Sequence, residues 1–332
     1  MKGLAAILVE LEKPLVLEEV EIPKLTFGQV LVKVLCSGIC GSQLGEIDGV
    51  KGADKYLPHL LGHEGTGVVI DCGEGVTTVK EMDKVVLHWR PGAGIQSPPP
   101  VYRSNSLGTV NAGWVTTFNE YAVVSENRMT SIPEDFDLEI AALMGCAVTT
   151  GLGVINNNAK VKIGESVVVW GAGGVGLNMV QGAAMVSAYP IIAIDLFDHK
   201  LDLARKMGAT HTIHAKKNNP EKEILKIVGN NGADVVIDNT GNIEIIRSAY
   251  EVTSSIGRTI LVGVPPIGKE ATLYTLPLHF KKILTGSHGG EAKPDIDIPR
   301  YIRLMESGKM TLDGLITHGF ALEEINDALD LF

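Results

Sequence analysis

The sequence predicts a fold in two parts, α/β plus β: a β-rich part and a part whose parallel sheet is wrapped by helices. Two observations carry this. Near residue 147 the rhythm changes from short branched runs between turn residues to strands and helices in alternation. Within the second part, ESVVVW (165–170) runs directly into GAGGVG (171–176) and then into the apolar stretch LNMVQGAA. Length agrees, since 332 residues is about twice an ordinary domain.

In the first part, Leu4–Leu8, Val30–Val34, Gly67–Ile70, Lys84–Leu87 and Glu120–Val124 read as strands because they are rich in branched residues. Pro23–Gly28 and Asp71–Gly75 supply turns between them. A small irregular barrel or sandwich is expected. Arg90–Gly113 has no apolar period and reads as a long loop, extended at Pro98–Pro100. Its expected place is an oligomer contact, a pocket rim or open solvent. Further on, Glu165–Trp170, Pro190–Ile194, Ala233–Ile237 and Thr259–Val264 read as strands and Leu201–Met207 as a helix. Spacers of about 10–15 residues imply parallel βαβ units. Pro299–Phe332 holds two short helical patterns.

Composition excludes several classes. Hydrophobic residues make up 45% and charged residues 20%, as in a packed globular chain. A net charge of −10 repels a phosphate backbone, so no nucleic-acid partner is expected. No apolar run approaches the ~18 residues of a bilayer span, and Glu10 and Glu12 come too early for a signal peptide. A cytoplasmic protein without membrane contact is expected. Four cysteines (Cys36, Cys40, Cys72, Cys146) are too few for a disulfide framework; they are buried thiols, metal ligands or reactive groups.

Gly171, Gly173, Gly174 and Gly176 stand between a strand and a helix, the context of a dinucleotide turn. The first glycine allows the tight turn, the second lets a pyrophosphate approach the backbone, and the third lets helix and strand pack closely. Free N–H groups at the helix start then face the diphosphate. Asp195 follows Gly176 by 19 residues; a carboxylate there accepts from the adenosine ribose and repels a 2′-phosphate, favouring NAD over NADP. Lys200 is close enough in sequence to reach the same ribose. The other reading of Asp195 is a helix cap.

Cys40 (GICGSQ), His63 (LGHEGTG) and Cys146 (MGCAVTTGLG) offer the thiolates and imidazole that zinc binds, with a fourth position left for substrate. Core thiols and a structural histidine fit the same spacing, which does not decide between them.

Cys40 with GSQ, then GHEGTGVVIDCGEGV, GCAVTTGLG, GAGGVG and ITHGFALEEINDAL resemble, in order and over nearly the whole chain, the zinc-dependent medium-chain alcohol dehydrogenases. That resemblance implies a GroES-like catalytic domain at 1–147, a Rossmann NAD-binding domain at 148–287 and a return to the catalytic domain at 288–332. It implies one catalytic Zn2+ on Cys40, His63 and Cys146, with Glu64 as a carboxylate able to approach it. Ser42 takes the alcohol proton, and a hydride passes between alcohol and NAD. Thr150, Val175 and Val264 pack the nicotinamide ring or an ordinary core, and Trp89 either narrows the substrate pocket toward slim or flat alcohols or belongs to the core. A homodimer or homotetramer is expected.

The chain departs from that pattern in three places. Gln43 and Gly45 stand where relatives commonly carry aspartate and histidine. Gly45 cannot relay a proton, Gln43 is expected to orient a ligand imidazole, and His59 is a substitute relay or an ordinary histidine. Residues 90–120 contain no cysteine, so no structural zinc is expected. The match ends at Phe332, before the usual final strand, which would leave a sheet edge to be covered. The alternatives to an alcohol dehydrogenase are a zinc-free quinone or enone reductase of the same superfamily and a non-catalytic nucleotide-binding protein.

Overall fold

The branched N-terminal runs form strands that bury alternate residues, as a period of two dictates. The computed structural model describes residues 1–332, which divide into two compact units. The first comprises Met1–Cys146, Lys293–Arg303 and Leu315–Phe332; the second comprises Ala147–Ala292 and Leu304–Gly314.

In the first unit, β1 (Lys2–Leu8), β2 (Val16–Glu21), β4 (His59–Leu60), β7 (Val101–Ser104) and β8 (Gly108–Asn111) close a barrel in the order β1-β2-β7-β8-β4. A five-stranded sheet has the order β10-β6-β5-β3-β9. Its strands are β3 (Gln29–Ser37), β5 (Glu64–Cys72), β6 (Lys84–His88), β9 (Tyr121–Ser125) and β10 (Met129–Ser131). Val30 and Val32, Val85 and Leu87, and Ala122 and Val124 share one cluster. Each fully buried valine or leucine contributes about 1.5–3 kcal/mol. The expected loop at Arg90–Gly113 is corrected: β7 and β8 form a hairpin inside it and complete the barrel. Tyr102 and Val110 point inward from that hairpin, and the Tyr102 hydroxyl accepts from the Val123 N–H at 2.7 Å. Two inward residues among Pro, Gly, Ser and Asn give too little period to read. Helix α9 (Ile325–Leu331) lays Ile325 against Ala6, Leu8 and Phe118. Asn326 accepts from the Leu15 N–H at 2.8 Å and donates to its carbonyl at 3.0 Å.

The second unit is a six-stranded parallel sheet, β13-β12-β11-β14-β15-β16. Its strands are β11 (Val167–Trp170), β12 (Ile191–Asp195), β13 (His211–His214), β14 (Ala233–Asp238), β15 (Thr253–Leu261) and β16 (Ile283–Gly286). The central strands are continuous apolar runs because both faces are covered. The edges β13 and β16 were not expected. HTIH buries only Ile213 and ILTG buries nothing, so neither carries the signal of a central strand. Helices α3 (Ala147–Gly153), α4 (Gly174–Met185), α5 (Asp198–Lys206), α6 (Pro220–Val228) and α7 (Ile243–Val252) belong to this unit. The strand order reverses between β11 and β14, and ligands of such sheets bind outside the carboxyl ends there. No single helix in the chain is long and apolar enough to cross a membrane.

Candidate functional site

Three local structures in the first unit bring Cys40, His63 and Cys146 together. Cys40, extended at φ −113°, caps helix α1 (Gly41–Ile47). His63 immediately precedes β5, and Cys146 follows a tight turn at Leu143–Gly145. Gly145 permits the close approach: a Cβ there would lie 2.3 Å from the Leu87 carbonyl oxygen and 2.8 Å from Glu64 Cα. The two sulfurs and one ring nitrogen all lie within 4.8 Å of one another.

The electrostatics fit a metal. His63 Nε2 is buried without a hydrogen-bond partner, a condition that costs about 1–3 kcal/mol when nothing binds it. A hydrogen bond from Cys146, opposed by burial and aided by His63 and Ser42, pushes the Cys40 thiol down to about 3. Burial works against a charged His63, but the nearby Cys40 sulfur outweighs it and raises its pKa; Glu64 and Glu46 add to the rise. Two cysteine sulfurs and an orphaned imidazole nitrogen are the donors zinc selects.

Around this triad, Ser42 is exposed and its Oγ donates to Cys40 Sγ at 3.4 Å. Gln43 is buried, but its Oε1 accepts from the Gly62 N–H. It therefore fixes the peptide before His63 and not the imidazole ring, which corrects the expectation for it. Glu64 is buried and opposite His88 in the sheet. Trp89 is half-buried against the valine cluster, and its carbonyl accepts from Arg128. A second constellation, Glu46, Asp54 and His59, also has its donor atoms within 4.8 Å. Sequence reasoning singled out only His59; nothing in the spacing of the two carboxylates marks them.

In the second unit the glycines divide the work of the turn. Gly171 ends β11 at φ +92°, a left-handed conformation. A Cβ on Gly176 would lie 1.9 Å from the Gly171 carbonyl oxygen, whereas one on Gly173 would meet nothing within 4 Å. The open side is at Gly173, the N-cap of α4, where Gly174 is exposed and Val175 half-buried. Asp195 Oδ2 accepts from the Ala172 N–H at 2.8 Å, and Oδ1 from Leu196 and Phe197 at 2.7 and 3.1 Å. Asp195 therefore braces the glycine turn and the two residues that precede α5, but it does not cap that helix, whose N-cap is Phe197. A carboxylate has about four acceptor sites, so one remains for a ribose hydroxyl. Lys200 Nζ lies 5.2 Å from the centroid of the Phe197 ring. Thr150 is buried on α3, and Val264, after β15, is 66% exposed.

Sequence reasoning missed Asp238, at the end of β14. Its carboxylate accepts from the Thr240 N–H and hydroxyl and from the Gly241 N–H at 3.0, 2.6 and 3.1 Å. Burial nevertheless pushes its pKa up. The signal was an aspartate and then NTG directly after ADVVI, an Asx turn.

Comparison with known proteins follows the same division. Residues 26–134 match the alcohol dehydrogenase GroES-like domain, and residues 174–307 match the zinc-binding dehydrogenase family. The S-(hydroxymethyl)glutathione dehydrogenase of Paracoccus denitrificans is 33% identical across 100% of this chain and 96% of its own. The class-3 alcohol dehydrogenase of Cereibacter sphaeroides shows the same identity and coverage. Among solved structures, benzyl alcohol dehydrogenase from Acinetobacter calcoaceticus superposes with a TM-score of 0.88 at 29% identity, over 99% of this chain and 95% of that one. With relatives of that identity matched end to end, the chain belongs to the zinc-type medium-chain alcohol dehydrogenase family.

Proposed function

We propose that the chain transfers a hydride between a small alcohol and NAD, giving an aldehyde or ketone, with one zinc on Cys40, His63 and Cys146. The observation that carries this is the meeting of a His63 ring nitrogen with two cysteine sulfurs within 4.8 Å, His63 Nε2 being buried and unpartnered. A zinc-free reductase has no use for that set. Zinc held by these residues would supply Lewis-acid polarisation of the alcohol or carbonyl oxygen, and NAD at the glycine turn would supply the hydride acceptor.

The protein's own groups do the rest. Cys40 and Cys146 balance the charge of the ion and His63 completes the set, with Glu64 close behind. Ser42, beside Cys40, takes the alcohol proton. The α4 N-terminus at Gly173–Val175 receives the diphosphate, and Asp195 takes a ribose hydroxyl while its charge opposes a 2′-phosphate. Lys200 serves the same ribose, and Thr150, Val175 and Val264 pack the ring. Trp89 narrows the pocket toward flat or slim alcohols, a class that includes the benzyl alcohol named for one structural relative.

A homo-oligomer in the cytoplasm completes the proposal. Phe280 and Ile283, at and beside the outer strand β16, are 66% and 49% exposed, an apolar edge suited to a second copy.

The test is His63→Ala with zinc counted per chain. Wild type should hold close to one equivalent and oxidise a primary alcohol with NAD. The variant should lose the metal and at least about a thousandfold in kcat/KM, while NADH still binds. Unchanged turnover in the variant would sink the reading.

A further inference from the structure

Glu46 on α1, Asp54 in the loop before β4 and His59 on β4 have no part in holding zinc, yet they converge. His59 is 6% exposed, with Nδ1 3.0 Å from the Leu60 carbonyl oxygen and Nε2 2.8 Å from Asp54 Oδ2. A carbonyl and a carboxylate both accept, and a neutral imidazole has a single N–H to offer them. With Nδ1–H given to the Leu60 carbonyl, Nε2 and Asp54 Oδ2 face each other as two acceptors that one further proton would join. The group is built to hold and exchange that proton.

Its position ties it to the alcohol chemistry. Glu46 follows Ser42 by four residues on α1, one helical turn along the same face. Gly45 places no titratable group on that turn. Lys51 Nζ, 4.0 Å from Glu46 Oε2, covers its outer side. Lys55 is turned over the Tyr56 ring. The strands flanking His59 oppose it with Leu8 and Asn111, both uncharged. Asp54 keeps 14% of its side chain in water.

We propose that Glu46, His59 and Asp54 form the path by which the alcohol proton passes from Ser42 to solvent, replacing a relay residue at position 45. The path rests on the alcohol dehydrogenase reading. In oxidation the C–H and O–H bonds break, the C=O bond forms, and the hydride leaves with its electron pair to the nicotinamide. The hydroxyl proton moves to Ser42 Oγ as Ser42 gives its own to Glu46. Glu46 protonates the His59–Asp54 pair, which releases one proton to water at Asp54.

The experiment compares wild type with His59→Gln and Glu46→Gln in zinc content, NADH binding, the pH profile of kcat in both directions, and 15N NMR of the histidine ring nitrogens. Both variants should keep zinc and NADH binding and hold KM within about twofold. Alcohol oxidation near pH 7 should fall about tenfold or more, the deficit closing as pH rises and added imidazole restoring rate. In wild type the His59 signals should be those of a doubly protonated ring. Profiles matching wild type in both variants would overturn the path, as would a singly protonated His59. Parallel loss of zinc and turnover would make the cluster structural. A second metal equivalent, absent in His59→Gln, would make it a cation site and end the proposal. If zinc-loaded wild type oxidises no alcohol, the underlying reading fails, and the NMR result still reports on the cluster alone.

Discussion

Residues 171–176 hold the proposed nucleotide turn in six consecutive positions, whereas the proposed zinc ligands stand 23 and 83 residues apart. The turn is dictated locally: a strand ends, Gly171 takes a left-handed φ, and Gly176 fits against the carbonyl it must not touch. The triad is dictated by topology. Cys40 caps a short helix, His63 enters a sheet, and Cys146 arrives through a glycine pressed against Leu87 and Glu64. A local site tolerates change elsewhere in its unit but not within its own six residues. A topological site depends on glycines and sheet contacts that never touch the metal.

The widest break in that comparison should come from alanine at the two crowded glycines. Gly176→Ala should destabilise the protein by about 3 kcal/mol or more, because backbone rather than a flexible side chain occupies the space. NAD binding should go with it in thermal-shift titrations. Gly145→Ala should instead displace Cys146, and metal analysis should show zinc falling well below one per chain while NADH affinity holds.

Next is a pH effect confined to the first unit. His88 is fully buried, with Nδ1 2.7 Å from the Arg90 carbonyl oxygen and Nε2 2.9 Å from the Thr130 hydroxyl. The carbonyl requires the proton on Nδ1, and the hydroxyl then donates to Nε2. Burial pushes its pKa down to about 4, so the folded state keeps it neutral while the unfolded chain protonates it below about 6.5. Its contribution is whole above pH 6.5 and declines by up to about 3 kcal/mol as pH falls toward 4, where the slope ends. Urea unfolding across that range should show His88→Gln with a shallower decline than wild type. Parallel curves would refute this.

A smaller loss is expected at Glu126, whose buried carboxylate accepts from the N–H groups of Thr77, Thr78 and Ile95 at 2.7, 2.9 and 2.7 Å. Burial opposes the charge, but these bonds hold its pKa below the usual range. Glu126→Gln should cost about 1–3 kcal/mol above pH 5, and the gap to wild type should narrow as acid protonates the carboxyl. Smallest in stability is Gly173→Ala, whose Cβ meets nothing. Melting should be unchanged and only NADH affinity reduced, by about tenfold, which separates the glycine kept for the ligand from those kept for the fold.

Most of the central architecture was legible. The buried runs at Val167–Trp170 and Ile191–Asp195 are unbroken because both faces are covered, and the glycine turn is contiguous with them. What escaped lies at edges and across distance. Strands β13 and β16 are half-covered, so their composition is not that of a core strand. The β7–β8 hairpin is held by Tyr102 and Val110, two residues in a polar stretch. Gln43 pointed to an imidazole in sequence but reaches the Gly62 peptide, a distinction only geometry makes. The pairing of His59 with Asp54 follows from a loop closing on a two-residue strand.

The tie between Asn326 and Leu15 spans 311 residues, and it sets an order for biosynthesis. At about 5–20 residues per second, a ribosome needs roughly 15–60 seconds after making Leu15 to supply its partner. Leu304–Gly314, the last piece of the second unit, emerges before that partner does. The nucleotide-binding sheet can therefore complete itself while the barrel beside β1 still waits, and during that interval Leu8 and Phe118 lack the cover that Ile325 brings. For this chain the exposed phase of folding belongs to the β-rich first unit, though its strands are made first.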